Sequence, residues 1–136
     1  MKWLLAAGLA LAALGARQAD SLLDAARSAA AQWMQHDFAG LVGTGEAIMV
    51  HLPGAEPSSP LRPTQAAALL KTFTEGAREL DFTLLVARNV EPDRAYVEAQ
   101  RLFQFQGTDV QHTQTIYFGF RRVGESYRLV EVRALP

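Results

Sequence analysis

Hydrophobic positions recur along this chain of 136 residues with two different periods, one typical of helices and one of strands. Residues 20–35 carry apolar side chains at three- and four-residue spacing, which predicts an amphipathic helix. Asp37 follows as a predicted N-cap for a short helical turn over 38–42. The helical spacing returns over 64–76, where Thr64 is the predicted N-cap. The stripe of the first helix consists of Leu22, Ala26, Ala29 and Trp33.

The remaining segments alternate with a period of two, which indicates strands. A short strand is predicted over 47–52, and a surface loop with four prolines follows it over 53–63. After the second long helix the pattern predicts four strands joined by tight turns, centred on 82–86 and spanning 95–106, 111–123 and 127–134. Helices followed by consecutive hairpins predict an α+β fold, with a curved antiparallel sheet wrapped on two or three N-terminal helices.

The N-terminal segment predicts where the protein works. Lys2 gives a positive start, residues 3–14 form a short apolar run, and small residues follow before the chain turns polar. This layout is typical of a secretory signal peptide over residues 1–19, followed by a single domain over 20–136. The predicted location is the periplasm or the extracellular space. An uncleaved segment that holds the protein at the membrane, or a first helix of the fold, are the alternatives.

Composition excludes several classes of protein. The chain has no cysteine, so it can form neither disulfides nor a thiolate metal site. Its formal net charge is -1, and loss of the two cationic residues of the predicted leader moves this to about -3. No basic face for nucleic acid is indicated.

Specific positions resemble the nuclear transport factor 2-like superfamily. An alanine-rich first helix ends in Trp-Met-Gln-His-Asp-Phe over 33–38, and a short strand ends in Pro53-Gly54. The chain then continues with a loop, a second helix and a strand meander that closes on Tyr-Arg-Leu-Val over 127–130. The resemblance covers the whole domain. The resemblance implies a cone-shaped sheet and places the chain beside small secreted bacterial members of unassigned function. A cystatin-like sheet on one helix and a lipocalin-like barrel fragment are the alternative folds.

The resemblance also implies a cavity between the sheet and the helices, and strand alternation selects the side chains directed toward it. Arg101, His112 and Gln114 are polar groups on otherwise apolar strand faces, which they share with Phe103 and Phe118. These five residues are the candidate ligand-binding set, for a small apolar ligand oriented by one or two polar groups. Two plainer interpretations stay open: Arg101 pairs with a carboxylate such as Glu98 or Glu131, and His112 is solvated.

The residue patterns favour a binding domain over an enzyme. Strand alternation places no carboxylate on the apolar face of a long strand, so no catalytic residue is assigned. The three histidines are far apart in sequence and predict no metal site, and no cofactor is indicated. The alternative is a small isomerase or hydrolase of the same fold, since some superfamily members use a carboxylate and a tyrosine in the cone. The predicted partners are a small ligand or a protein, and the resemblance implies a homodimer paired through its sheets.

Overall fold

The computed structural model describes residues 21–136, so the predicted signal peptide lies outside the described residues. Three helices lie mainly in the first half of the domain, and the first of them, α1, covers residues 21–34. A five-stranded sheet contains most of the remaining residues. The other elements are α2 (Phe38–Val42), β1 (Met49–His51), α3 (Pro63–Phe73), β2 (Ala77–Glu91), β3 (Arg94–Phe105), β4 (His112–Val123) and β5 (Ser126–Ala134).

The end of α1 and the start of α2 are fixed by local hydrogen bonds. The backbone N–H groups of His36 and Asp37 donate to the carbonyls of Trp33 and Gln32, at 2.9 and 2.8 Å, which is the Schellman pattern. His36 takes the left-handed conformation that this pattern requires, with φ 52°. The Asp37 carboxylate accepts from the Gly40 N–H at 3.0 Å, which confirms the predicted N-cap.

The predicted N-cap of α3 is wrong by two residues. The helix begins at Pro63 and its N-cap is Arg62, so Thr64 lies inside the first turn. Proline suits this first position because its ring fixes φ near the helical value and its missing N–H would have had no partner there. The Gln65 side chain accepts from the Arg62 backbone N–H at 3.1 Å.

The sheet order is β1-β5-β4-β3-β2, so the first strand pairs with the last. The pairing of β1 with β5 is parallel and the other three are antiparallel. One face of the sheet packs on the helices and is called the inner face; the opposite face is called the outer face. In β3 the buried positions alternate as predicted, with Ala95, Val97, Ala99, Arg101 and Phe103 on the inner face.

The strand β2 is much longer than its alternation predicts, because it begins soon after α3 and contains irregularities. Its register against β3 shifts between Glu79 and Asp81 and again between Leu84 and Val86. Each such bulge adds one residue to one strand and reverses which face the following side chains occupy. Glu79 and Phe82 therefore both face inward although they differ by three residues.

The core fills the space between the helices and the inner face. Trp33 of α1 is fully buried and its ring lies 5.3 Å from Phe38, 5.8 Å from Phe82 and 6.3 Å from Phe118, measured between ring centroids. The predicted α+β class, with a curved and unclosed sheet on N-terminal helices, is confirmed. Within residues 21–136 no helix has the length and apolarity needed to cross a membrane.

Candidate functional site

Arg101 is a charged residue in the interior of the domain, with only 1% of its surface exposed. It occupies an inner-face position of β3 between Ala99 and Phe103, which are also buried. A cation placed there loses its hydration, which costs several kcal/mol unless charged or hydrogen-bonding groups replace the water. The surroundings of Arg101 therefore determine whether this region is a binding site or a part of the core.

The compensating charge comes from Glu79 on the neighbouring strand β2. The Glu79 side chain is 1% exposed, and its carboxylate accepts from the guanidinium through two parallel bonds, Nε to Oε1 and Nη2 to Oε2, the second at 2.8 Å. The indole N–H of Trp33 donates to the same Oε1 at 2.7 Å. Three N–H groups thus converge on one buried carboxylate, and the two-bond arrangement is the geometry in which arginine binds carboxylates most strongly.

Aromatic rings surround the guanidinium on its remaining sides. Its central carbon lies 3.8 Å from the ring centroid of Phe103, 5.5 Å from that of Trp33 and 5.9 Å from that of Phe73. A cation over an aromatic face is attracted by the ring quadrupole, more strongly where water is excluded. The rings therefore stabilise the charge of Arg101 as well as excluding solvent from its ion pair.

Gln114 extends the hydrogen bonds of Arg101 to the chain segment that follows β5. Its side-chain oxygen accepts from Arg101 Nη1 at 2.8 Å, and its amide nitrogen donates to the Leu135 carbonyl at 2.9 Å. We call Trp33, Glu79, Arg101 and Gln114 the interior network. It joins α1 to β2, β3 and β4, and the amide of Gln114 ties it to the chain just after β5.

His36 lies beside this network without joining it through a hydrogen bond. Its Nε2 atom is 3.3 Å from Glu79 Oε2, but the direction is not that of a hydrogen bond, and this buried atom has no partner among the described residues. The histidine side chain is 30% exposed, whereas the Glu79 side chain that it approaches is 1% exposed. His36 thus separates the interior carboxylate from a cleft of about 330 Å³ next to the end of α3.

Four of the five predicted site residues lie together, and the fifth lies apart. Arg101 contacts both Gln114 and Phe103, and His112 stacks on the Phe103 ring with centroids 5.4 Å apart. His112 is the first residue of β4 and is exposed. Phe118 is fully buried deeper in the core, against Trp33 and Phe82.

The carboxylate that pairs with Arg101 differs from the predicted ones. Glu98 and Glu131 lie on the outer face, where they accept hydrogen bonds from Tyr117 and Tyr96 at 2.9 and 3.1 Å. The expectation that no carboxylate lies on the apolar face of a long strand is also wrong, because Glu79 does so. The bulge between Glu79 and Asp81 is the reason, since simple alternation from Phe82 places residue 79 on the outer face.

The outer face carries a second candidate surface. A groove of about 520 Å³ crosses the sheet from β2 to β5, and its lining includes Tyr96 and Tyr117. Val86 and Val90 at its edge are 40% and 54% exposed, and charges of both signs border it, namely Arg88, Glu98 and Arg133. The hydrogen bond that Tyr117 donates to Glu98 raises the pKa of this tyrosine above its ordinary value of 10.0, because loss of the proton would place two negative charges side by side.

Metal binding has no support from the geometry. Within residues 21–136, no three histidine or acidic side chains are grouped as a metal ion requires. The nearest approach of such groups in the interior is that of His36 and Glu79, whose carboxylate is already bound by Arg101 and Trp33. The interior network is therefore closed by its own side chains.

Comparison with solved structures identifies the fold. A ketosteroid isomerase-like protein from Erwinia carotovora atroseptica superposes with a TM-score of 0.66 at 14% identity, over 85% of this chain and 92% of that one. An NTF-2-like protein of unknown function from Shewanella oneidensis gives 0.62 at 11% identity, over 85% and 97%. An NTF2-like protein with a cystatin-like fold from Novosphingobium aromaticivorans gives 0.62 at 19% identity, over 96% and 86%.

These similarities establish that the chain has the nuclear transport factor 2-like fold, as the sequence resemblance predicts. At such identities they carry no statement about activity. No protein-family model matches the chain, and no curated protein matches it.

Proposed function

We propose that this protein is an exported, non-catalytic binding domain that associates with a second copy of itself through the outer face of its sheet. The observation that carries the proposal is the contrast between the two faces. The inner face is filled with aromatic side chains and one neutralised ion pair, whereas the outer face has exposed valines around a groove. Exposed apolar groups bordered by polar ones are typical of interaction surfaces.

The charges of the outer groove suit self-association. A two-fold interface brings each surface against its own copy, so it needs groups that complement each other on the same patch. Arg88, Arg133 and Glu98 border the groove together, and both tyrosines in it offer large, rigid contact area. Two copies related by a two-fold axis can therefore oppose an arginine to Glu98 on both sides.

The test is the oligomeric state of the purified chain and of two matched variants. Sedimentation velocity over a concentration series is expected to show a dimer for the parent and a monomer for Val86→Glu, which puts a charge into the groove. Val110→Glu is the control, because Val110 is 61% exposed but lies outside the groove. A monomeric parent, or equal dissociation of both variants, overturns the proposal.

The small apolar ligand expected in the cone finds less support than surface binding. Phe118 and Trp33 are fully buried against each other, and Arg101 already has its carboxylate. A ligand at the predicted residues would have to displace these side chains. The cost of binding would then include breaking a buried ion pair, which favours the surface as the site of binding.

A second candidate function is a small isomerase or hydrolase of the same fold, and the pairing of His36 with Glu79 is the observation that favours it. The Glu79 carboxylate lies beside His36 Nε2 and can orient the ring, so the other ring nitrogen, Nδ1, would act as the general base. Activity toward a ketosteroid or activated esters that is lost in His36→Gln would support this candidate. Equal rates in the parent and in His36→Gln would oppose it.

A further inference from the structure

A cleft of about 480 Å³ lies between α1, the loop that follows α2, and the beginning of β5. Ser28 and Gln32 line it from the helix, Thr44 from the loop, and Tyr127 and Arg128 from the strand. We call it the Arg128 cleft. Its size is that of a site for a small organic molecule, and it shares no lining residue with the outer groove.

Arg128 is the charged group of this cleft that has no counterion. Among the described residues no carboxylate lies within 4.0 Å of its guanidinium, whereas the neighbouring Arg121 is paired with Glu46. Glu46 also lines the cleft, but both of its oxygens accept from Arg121. The Arg128 guanidinium lies against Gly45 of the loop. Its Nη1 atom is 3.0 Å from the position that a Cβ atom on this glycine would occupy.

The sheet register gives an independent reason for an anion here. Arg128 is directly opposite Arg121 on β4, and Arg121 is directly opposite Arg94 on β3, so three arginines form a row across three strands. Like charges at directly opposite positions destabilise a sheet. Glu46 neutralises only the middle arginine, so the row keeps an excess of positive charge. The last arginine of the row, Arg128, lines the cleft.

We propose that the Arg128 cleft binds a small organic oxyanion, with the guanidinium of Arg128 holding its carboxylate or phosphate group. Arginine presents paired N–H groups that match either oxyanion. The hydroxyls of Ser28 and Tyr127 and the amide of Gln32 supply further hydrogen-bonding groups, and Phe120 and Leu129 supply an apolar wall. Binding would also relieve the repulsion between Arg128 and Arg121.

The test uses three ligands with the same ring and different head groups: benzoate, phenyl phosphate and neutral benzyl alcohol. Titration followed by amide chemical shifts is expected to show benzoate or phenyl phosphate binding with changes at residues 43–46 and 127–129. Whichever anion binds more tightly identifies the class of head group. Binding of benzyl alcohol as tight as that of the anions, or changes confined to other residues, overturns the proposal.

Two variants complete the experiment. Arg128→Gln is expected to weaken binding of the anion about tenfold or more, since a hydrogen-bonded charge is lost. Arg78→Gln removes an exposed arginine that does not line the cleft and is expected to leave binding unchanged. Equal affinity in Arg128→Gln, or equal loss in both variants, refutes the assignment.

A stability measurement on the unliganded variant separates a ligand-binding arginine from a structural one. Because Arg128 faces Arg121, Arg128→Gln is expected to raise the unfolding midpoint in the absence of ligand. A lowered midpoint would mean that Arg128 supports the fold, and it would overturn the proposal. The dimer test concerns other residues, so failure of one proposal leaves the other to be judged on its own result.

Discussion

Removing the charge of Glu79 while keeping its shape tests the interior network. The variant Glu79→Gln retains an oxygen that can accept from Trp33, but it places an NH₂ group against an N–H donor of Arg101. The guanidinium is then a buried cation without a counterion. Breaking a buried pair on one side costs about 3–5 kcal/mol, and the retained Trp33 bond places the expected loss near 3 kcal/mol. That is a large part of the roughly 5–15 kcal/mol that holds a domain together.

The assay is urea unfolding followed by tryptophan fluorescence. The chain has two tryptophans, and Trp33 is the one in the described domain, where its indole N–H contacts Glu79 itself. Glu98→Gln is the matched control, since Glu98 lies half-buried on the outer face and accepts from Tyr117. Its loss is expected to be about 1 kcal/mol or less, in the range of exposed ion pairs and hydrogen bonds.

A second substitution distinguishes a coupled pair from two independent contributions. In the double variant Glu79→Gln with Arg101→Met, no buried charge remains, and the residue at position 79 can still accept from Trp33. The double variant is therefore expected to regain at least half of the stability that Glu79→Gln loses. Losses that simply add, or a loss in Glu79→Gln no greater than in the control, would refute the view that the pair is a coupled buried unit.

Three further predictions concern other parts of the chain. The pKa of Tyr117 is raised above its ordinary 10.0, so its contribution to folding is complete below that pH and is lost as pH rises through the folded-state pKa. Glu98→Gln should lower that pKa in a titration of tyrosinate absorbance against Tyr117→Phe, and an unchanged titration would contradict this. Gly119→Ala should cost about 1–3 kcal/mol in urea unfolding, because its Cβ would lie 2.9 Å from the Glu131 Cβ; an unchanged midpoint would oppose this interpretation. Mass spectrometry of the exported protein should find its first residue within 16–20, and an intact N-terminus would contradict the signal peptide.

Much of the fold could be predicted because its signals are local. Asp37 caps α2 as its residue type and position indicate, and the alternation in β3 correctly assigns every side chain from Tyr96 to Phe103 to its face. The same alternation indicates Arg101 as a cation on an apolar face. These features depend on neighbours a few residues away, which the amino-acid sequence contains directly.

The partner of Arg101 could not be predicted because it depends on pairing between strands. Glu79 faces inward only because a bulge follows it, and a bulge is set by how β2 fits against β3. Nothing in the residues 77–81 marks which one is unpaired. The row formed by Arg94, Arg121 and Arg128 is hidden for the same reason, since it appears only when the register of β3, β4 and β5 is known.

The interior network explains why binding is proposed at surfaces of this cone. Two ions of opposite charge within an apolar interior leave water only if each satisfies the other, and Glu79 and Arg101 do so with support from Trp33 and Gln114. The same requirement fixes the register of β2 against β3, because a slip of one residue would turn Glu79 outward and leave Arg101 buried without its carboxylate. Opening this region for a ligand would therefore break the ion pair and the strand register that depends on it. The parts of the molecule that remain available are at its surface, namely the outer groove and the cleft beside Arg128.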